Sequence, residues 1–364
     1  MRVKLKDVCE KATSKLKQSD ILSLGGKYPV FGASGYLGNM DSYHQDKPYI
    51  AVVKDGAGIG RTTILPPKSS VIGTMQYLIP KENVMPEYLY YVVKHMRLQK
   101  YYTGATIPHI YFKDYQNEEF NLADSIRQRE IVKVLKNVED TIRYQEIEIN
   151  KFDELIKARF IEMFKSVNDK VTIGSLCDVT SGYSFKSKDI NSSNGIKLLQ
   201  IGNVFFDNVN WETVNYLPDG YNIKYSKFLL NEGDIVVALT RPIIQSLGNV
   251  KACVVRELDV PCLLNQRVGR ITPKKNIDTN LKFIYECLMM NDFTKYVESC
   301  CIGCSQPNIS VHDIENYLVP NVSFKQQERF MLFKKQVDKS REEVKKSLEK
   351  TQQLYDSLMQ EYFG

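Results

Sequence analysis

Apolar positions recur every three and four residues along two long stretches of this chain, and that spacing predicts two long helices. In the first stretch Ile131, Val138, Gln145, Phe152 and Arg159 lie seven apart, beside a second column of Leu135, Ile142, Ile149, Ile156 and Met163. In the last stretch one column holds Phe330, Val337, Val344, Thr351 and Leu358, and a weaker one ends in Leu348, Tyr355 and Tyr362. Sustained for about five heptads, this is the pattern of a coiled-coil seam rather than of a helix lying on a globular core. Gln145, Arg159, Lys334 and Arg341 interrupt the columns, and polar residues so placed can fix register. Each helix would be roughly 55–60 Å long at a rise of 1.5 Å per residue.

The remaining stretches alternate differently. Tyr49 to Val53, Met75 to Ile79, Ile196 to Ile201 and Asp234 to Leu239 are short runs of β-formers bounded by turn residues, and they predict strands. Pro86 to Val93 and Lys282 to Met290 read as short helices, the first with proline near its opening turn. Each half of the chain therefore carries strands, then a short helix, then a long one.

The halves also repeat in sequence. Gly104-Ala105-Thr106-Ile107-Pro108-His109-Ile110 is echoed about 200 positions later by Gly303-Cys304-Ser305-Gln306-Pro307-Asn308-Ile309. Each copy is followed by an aspartate (Asp114, Asp313), then by Gln128-Arg129-Glu130 or Gln326-Gln327-Glu328, where a long helix starts. Val3 to Glu10 resembles Val171 to Asp178, and the long helices end alike at Phe160 to Phe164 and Met359 to Phe363. The stretches between these marks hardly resemble each other. Such a period is too long for a solenoid and predicts two copies of a globular-domain-plus-helix unit. The first helix ends where the second unit begins, so a partner for its seam exists only if the last helix runs back beside it. The expected fold is α+β: two globular domains joined by an antiparallel coiled-coil spacer, pseudo-two-fold and shaped like a dumbbell. The expected boundaries are 1–125, 126–165 (first helix), 166–323 and 324–364 (second helix).

Composition narrows the class. An apolar fraction of 43% with 25% charged residues suits a water-soluble chain of 364 residues holding two domains of ordinary size. No apolar run is long enough to span a bilayer, and Met1 to Asp7 lacks the apolar core of a signal peptide, so a cytoplasmic protein without a membrane role is expected. Eight cysteines fit reduced, mostly buried thiols. The net charge of +6 permits a polyanionic partner without requiring one.

This arrangement resembles the DNA-specificity subunit of type I restriction-modification systems, over essentially the whole chain. The local marks are Tyr28-Pro29-Val30-Phe31-Gly32-Ala33-Ser34-Gly35-Tyr36-Leu37-Gly38, Asp234-Ile235-Val236-Val237, Asn265-Gln266-Arg267-Val268, and the twice-occurring Gly-x-x-x-Pro-x-Ile junction. The resemblance implies that each globular domain is a target-recognition domain reading one half of a split, asymmetric site in double-stranded DNA. It implies a spacer that sets half-site separation and docks two modification methyltransferase subunits. Adenine-N6 methylation from S-adenosylmethionine would belong to those partners, cleavage and translocation with ATP and Mg to restriction subunits, and no cofactor or catalysis to this chain. A spacer of the length above would exceed one turn of B-DNA, about 34–36 Å. Adenine methylation takes the base out of the stack, so rigid placement of the methyltransferases matters.

Arg, Lys, Asn, Gln and Ser on exposed loops are the side chains suited to reading base edges. In the first unit the candidates are Lys27, Ser34, Tyr36, Lys54 and Arg61; in the second they are Ser184, Lys186, Asn203, Arg241, Gln245 and Arg267. The competing reading for each is a solvated loop or an intradomain hydrogen bond. Gly56-Ala57-Gly58-Ile59-Gly60-Arg61 lacks the Lys-Ser/Thr of a phosphate loop and the dinucleotide spacing, so a strand-to-strand turn is expected. Cys301-Ile302-Gly303-Cys304 has zinc-like spacing but no second ligand pair, and His44, His95, His109 and His312 form no metal or triad pattern. Leu65-Pro66-Pro67-Lys68 lacks the Asp or Asn with which amino-methyltransferases bind the target amine. A different class remains open on this pattern: a coiled-coil scaffold or adaptor that binds proteins, not DNA. A silent or recombining cassette of the same family would still be a DNA reader in design.

Overall fold

The computed structural model describes residues 1–364 except 22–24, 105–107, 192, 245–247 and 302–306, and the side chain of Ile244. The chain divides into two compact units: Met1–Ile149 with Glu343–Gly364, and Asn150–Glu342. The long helices run Ser125–Phe164 and Phe324–Phe363, so each unit holds part of both.

In the first unit a four-stranded antiparallel sheet takes the order Cys9–Thr13, Met75–Pro80, Tyr49–Val53, Thr62–Leu65. Tyr49–Val53 is buried at every position, and the two-residue period of a strand sorts its side chains into two cores. Ile50 and Val52 join Leu5, Leu78, Leu89 and Val92, whereas Tyr49, Ala51 and Val53 join Val71, Met75 and Tyr77. A smaller sheet places Tyr28–Gly32 between Gly35–Met40, antiparallel, and Ser70–Val71, parallel.

The second unit repeats this topology in full, although its sequence between the junctions does not. Its larger sheet runs Cys177–Ser181, Val268–Pro273, Ile235–Ala238, Ala252–Val254, again antiparallel throughout. Its smaller sheet places Ile196–Leu199 between Asn215–Leu217, antiparallel, and Cys262–Leu264, parallel. Ile235 and Val237 face the core with Ile271 and Phe283, while Val236 and Ala238 face the opposite one. A short hairpin of Ile243–Ile244 with Asn249–Val250 has no counterpart among the described residues of the first unit. A two-stranded ribbon ties the start of each globular domain to the residues before the long helix that follows it, Arg2–Lys4 with Glu119–Asn121 and Lys170–Thr172 with Leu318–Pro320.

The helices pair antiparallel within each unit. In the first unit Glu139 accepts from the Tyr355 hydroxyl at 2.9 Å, and Gln145 bonds Ser347 at 2.8 Å, so rising numbers on one helix meet falling numbers on the other. In the second, Asp153 pairs with Arg341 at 3.1 Å and the Phe160 and Phe330 rings lie 5.4 Å apart. The heptad columns point inward. Ile131, Leu135, Ile156, Phe330, Val337 and Tyr355 are buried, and Val138, Ile142, Ile149, Phe152, Val344, Leu348 and Leu358 are half-buried. Toward each unit's domain the seam merges with the domain core, through Tyr88 and Leu89 in one and Phe283 in the other. The coiled-coil and core-helix readings thus hold together on the same helices.

Candidate nucleic-acid interface

The junction motif acts on the backbone. In the first unit Lys54 N–H donates to the Thr74 carbonyl (3.0 Å), Gly56 N–H to the Pro108 carbonyl (3.0 Å) and Ile110 N–H to the Lys54 carbonyl (2.9 Å). In the second, Leu239 N–H donates to Arg267 (2.9 Å), Arg241 N–H to Pro307 (2.8 Å) and Ile309 N–H to Leu239 (2.9 Å). The Pro-x-Ile tail therefore pins the end of the central strand in both units, and these bonds pair the positions one by one. Gly56 corresponds to Arg241, and Thr74 to Arg267. The main chain is matched while the side chains presented at the strand ends differ.

Around the first strand end, Arg61 is exposed and donates through Nη1 to the Ala33 carbonyl at 3.0 Å, tying its loop to the hairpin that carries Ser34 and Tyr36. Tyr36 is 60% exposed, with its ring 6.2 Å from that of Phe31. Lys27 is exposed just before Tyr28–Gly32. Lys54 is less available: it is half-buried and ion-paired with Asp55 at 3.6 Å, and Asp55 also meets His109 Nδ1 at 2.7 Å. The loop from Gly56 to Arg61 joins two antiparallel strands, as a turn should.

In the second unit Ser184 and Lys186 are exposed on the segment after Cys177–Ser181. Gln266 N–H donates to the Tyr183 carbonyl at 3.1 Å, which brings that segment beside Arg267. Arg241 and Arg267 are both exposed. Asn203 must be withdrawn as a reader of bases. It is 5% exposed, its Oδ1 accepts from Gln200 N–H (3.0 Å), and its Nδ2 donates to the carbonyls of Asn210 (3.0 Å) and Thr213 (2.8 Å). A short amide in a polar loop served the loop itself. Gln245 lies outside the described residues.

Two features of the second unit were missed in sequence. Tyr183 stands in an aromatic cluster with Phe185, Tyr225 and Phe228 at ring distances of 5.0, 4.7 and 5.4 Å, and Lys224 lies 5.3 Å from the Tyr225 ring centre. Its signal was the interleaving of aromatic and basic residues from Tyr221 to Phe228. Gln266 is exposed beside Arg267, inside a motif quoted for another reason.

Among the described residues no three His, Cys, Asp or Glu side chains converge as a metal site, and no helix is long and apolar enough to cross a membrane. Cys304, half of the zinc-like pair, lies outside the described residues. Cys9, Cys177, Cys253, Cys262 and Cys287 are buried. Burial pushes the thiols of Cys9, Cys177, Cys253 and Cys262 up to about 12, which keeps them unreactive.

The pattern matches a known family over most of the chain: the type I restriction modification DNA specificity domain, at residues 1–152 and again at 166–352. The chain belongs to that family. The double match falls on the two units that share a topology. The specificity subunit of the type I restriction enzyme MjaVIII from Methanocaldococcus jannaschii is 30% identical over 334 residues, covering 84% of this chain and 77% of that one. The EcoAI specificity subunit of Escherichia coli is 30% identical over 161 residues, 44% of this chain and 26% of the relative. In three dimensions the chain is similar to the type I S subunit of M. genitalium (TM-score 0.57, 16% identity, covering 100% of this chain and 96% of that one). It is also similar to a chain from a structural study of complex assembly and conformational transition of the type I R-M system (TM-score 0.64, 13% identity, 100% and 97% covered). At such identities the likeness is one of fold. As a type I specificity subunit, the chain has DNA and the other restriction-modification subunits as its class of partners, and its two globular units are the DNA-recognition domains.

Proposed function

We propose that this specificity subunit reads a bipartite, asymmetric DNA site, one half with each unit, and docks two adenine-N6 methyltransferase subunits. The observation that carries the reading is the pairing of identical topology with different side chains at matched strand ends: Gly56 against Arg241 and Thr74 against Arg267. One scaffold used twice, with different groups presented at the same place, reads two different half-sites. The domains proposed are 1–125 and 166–323, with helices 126–165 and 324–364 as spacer. Basic residues near the strand ends would supply the salt-sensitive phosphate contacts, and base-edge contacts the sequence.

The repeat also supports two identical partners. Leu155 on the first helix and Leu354 on the second occupy matching places in the repeat, and both are about half exposed, at 47% and 51%. An apolar side chain offered twice at equivalent positions suits two copies of one subunit. Methyl transfer from S-adenosylmethionine is assigned to those subunits, and ATP- and Mg-dependent cleavage to restriction subunits.

The test is to express the chain with its cognate modification subunit in a methylation-free host and map N6-methyladenine across the genome. A split motif that disappears when this chain is omitted is the expected result. A soluble, intact complex that methylates no motif would overturn the reading.

A further inference from the structure

Arg241 occupies the place that a glycine fills in the other unit, and it keeps a glycine's backbone. Gly56 has φ +85° and its counterpart Arg241 has φ +48°, both in the left-handed region. A residue with a Cβ gives up stability to sit there, and such positions persist where the surroundings or a function hold them. Among the described residues, four other non-glycine residues share that conformation. Asp207 and Asn276 are of the types that tolerate it, Arg97 follows the C-terminal end of the helix Pro86–His95, and Lys68 lies in the bend between the strands Thr62–Leu65 and Ser70–Val71. Arg241 closes no helix. Its backbone is clamped instead: its N–H is given to Pro307, and Thr240 and Ile309 are tied across the same junction to Asn308 and Leu239.

Its side chain has no role among the described residues of the unit. Arg241 is exposed, and among the described residues its guanidinium makes no hydrogen bond or ion pair. Two other arginines of this unit show what internal use looks like. Arg256 holds Asp259 through Nε at 3.0 Å, and Arg270 donates to the carbonyls of Leu229 (3.0 Å) and Lys227 (3.2 Å). Arg241 thus has a rigid root, a five-donor fork without a partner among the described residues and a strained backbone that glycine would relieve. A phosphate contact does not require a rigid root, since a flexible lysine on relaxed backbone also binds phosphate as a point charge. A base edge does ask for it, because bidentate reading of guanine O6 and N7 is directional.

Resting on the specificity reading above, we infer that Arg241 is a specificity-determining residue that reads a guanine in the half-site recognised by the second unit. Arg267, whose carbonyl takes the Leu239 N–H two residues away, is rooted beside it. The first unit, with Gly56 and Thr74 at these positions, reads its half-site without an arginine there.

The experiment maps N6-methyladenine motifs made by the complete methyltransferase complex carrying wild-type chain, Arg241→Gly or Arg241→Lys. Arg241→Gly suits the existing backbone, so a misfolded variant is not expected, and thermal melting of the free chain checks this. The expected result is a wild-type motif containing a G·C pair in one half-site that becomes degenerate in Arg241→Gly, with discrimination at that pair falling roughly 10- to 100-fold. The other half-site should be unchanged, and Arg241→Lys should recover only part of the discrimination. An unchanged Arg241→Gly motif overturns the inference while leaving the specificity reading intact. So does a uniform drop in methylation at all sites with a shallower salt dependence, the mark of a phosphate contact. Failure of the wild-type complex to methylate any motif sinks both.

Discussion

Gln145 donates through Nε2 to the Ser347 hydroxyl at 2.8 Å, a bond between residues 202 positions apart that crosses the helical seam. Its Oε1 is shielded from solvent without a hydrogen-bond partner among the described residues. Half-satisfied, the amide costs stability while favouring one register over its neighbours. Gln145→Leu should therefore raise the stability of the first unit by about 1 kcal/mol and loosen the choice of register. Helical melting followed by far-UV circular dichroism gives the first quantity, and crosslinks between cysteines placed on the two helices give the second. A lower melting temperature would mean that the bond to Ser347 outweighs the shielded oxygen.

Gln128 and Gln327 open the two long helices and stitch each one to the short helix of its unit. Gln128 is 1% exposed; it accepts from Met85 N–H at 2.9 Å and donates to the carbonyls of Asn83 (3.0 Å) and Ala123 (2.9 Å). Gln327 accepts from Asn280 N–H at 2.8 Å and donates to Val322 at 3.2 Å. Each satisfies backbone groups left open where a helix starts. Gln128→Ala should cost roughly 2–4 kcal/mol and Gln327→Ala somewhat less, since it loses one bond fewer. Hydrogen exchange should rise in Pro86–His95 for the first variant and in Leu281–Leu288 for the second. Equal effects on both segments would contradict the separate stitching.

The architecture was legible because its signals are local and repeated. Heptad columns at Ile131 to Phe152 and Phe330 to Val344 need no tertiary information, and chain order alone forces the second helix back along the first. The matched sheets were not legible, because a buried strand requires only apolar residues of suitable shape. Tyr49–Val53 and Ile235–Ala238 take the same place with little identity. The site was legible as a set of loops and not as a geometry. Arg61 and the Ser34–Tyr36 hairpin are joined through the Ala33 carbonyl, a backbone contact with no mark in the sequence. Asn203 looked like a reader because its residue type is used both for bases and for folding loops, and only burial separates the two uses.

Asn203 offers a clean check on that correction. Trp211, the chain's single tryptophan, lies in the same loop region, donates through Nε1 to Asp259 Oδ1 at 2.8 Å and reports on the second unit by fluorescence. Asn203→Ala leaves the three groups bonded by its amide unpaired and should destabilise this unit by about 2–4 kcal/mol. The expected outcome is an earlier urea midpoint at Trp211 with an unchanged methylation motif in whatever fraction of complex stays folded. A changed motif with an unchanged midpoint would restore Asn203 as a reader of bases.

Leu155 and Leu354 test the proposed docking of two modification subunits. An exposed apolar side chain contributes little to the free chain, so Leu155→Glu and Leu354→Glu should shift its stability by less than about 0.5 kcal/mol. Burying the new carboxylate in an interface costs several-fold more. Native mass spectrometry should show two methyltransferases per wild-type chain, one for either single variant and none for the double variant. Retention of both partners by the double variant would place the docking surface elsewhere.

Glu286 predicts how the second unit responds to pH. It is buried against Lys334 (3.6 Å), with Asp338 bonded to the same lysine at 2.8 Å and the negative charges of Asp338 and Asp207 nearby. Burial pushes its carboxyl from the usual 4.5 up to about 7, against the pull of Lys334. Lys334 itself stays charged; burial opposes this, but Glu286 and Asp338 together hold its pKa above the ordinary lysine value. A carboxyl whose folded pKa exceeds its unfolded one takes up a proton on folding between those two values. Stability of this unit should therefore fall as pH rises from 4.5 to about 7, with the full penalty present above that window. Glu286→Gln removes the titration and leaves Lys334 paired with Asp338. It should change the Trp211 unfolding midpoint little at pH 5 and stabilise the unit by about 2 kcal/mol at pH 8. A variant less stable than wild type at pH 8 would show that the ion pair with Lys334 outweighs the burial of its carboxylate.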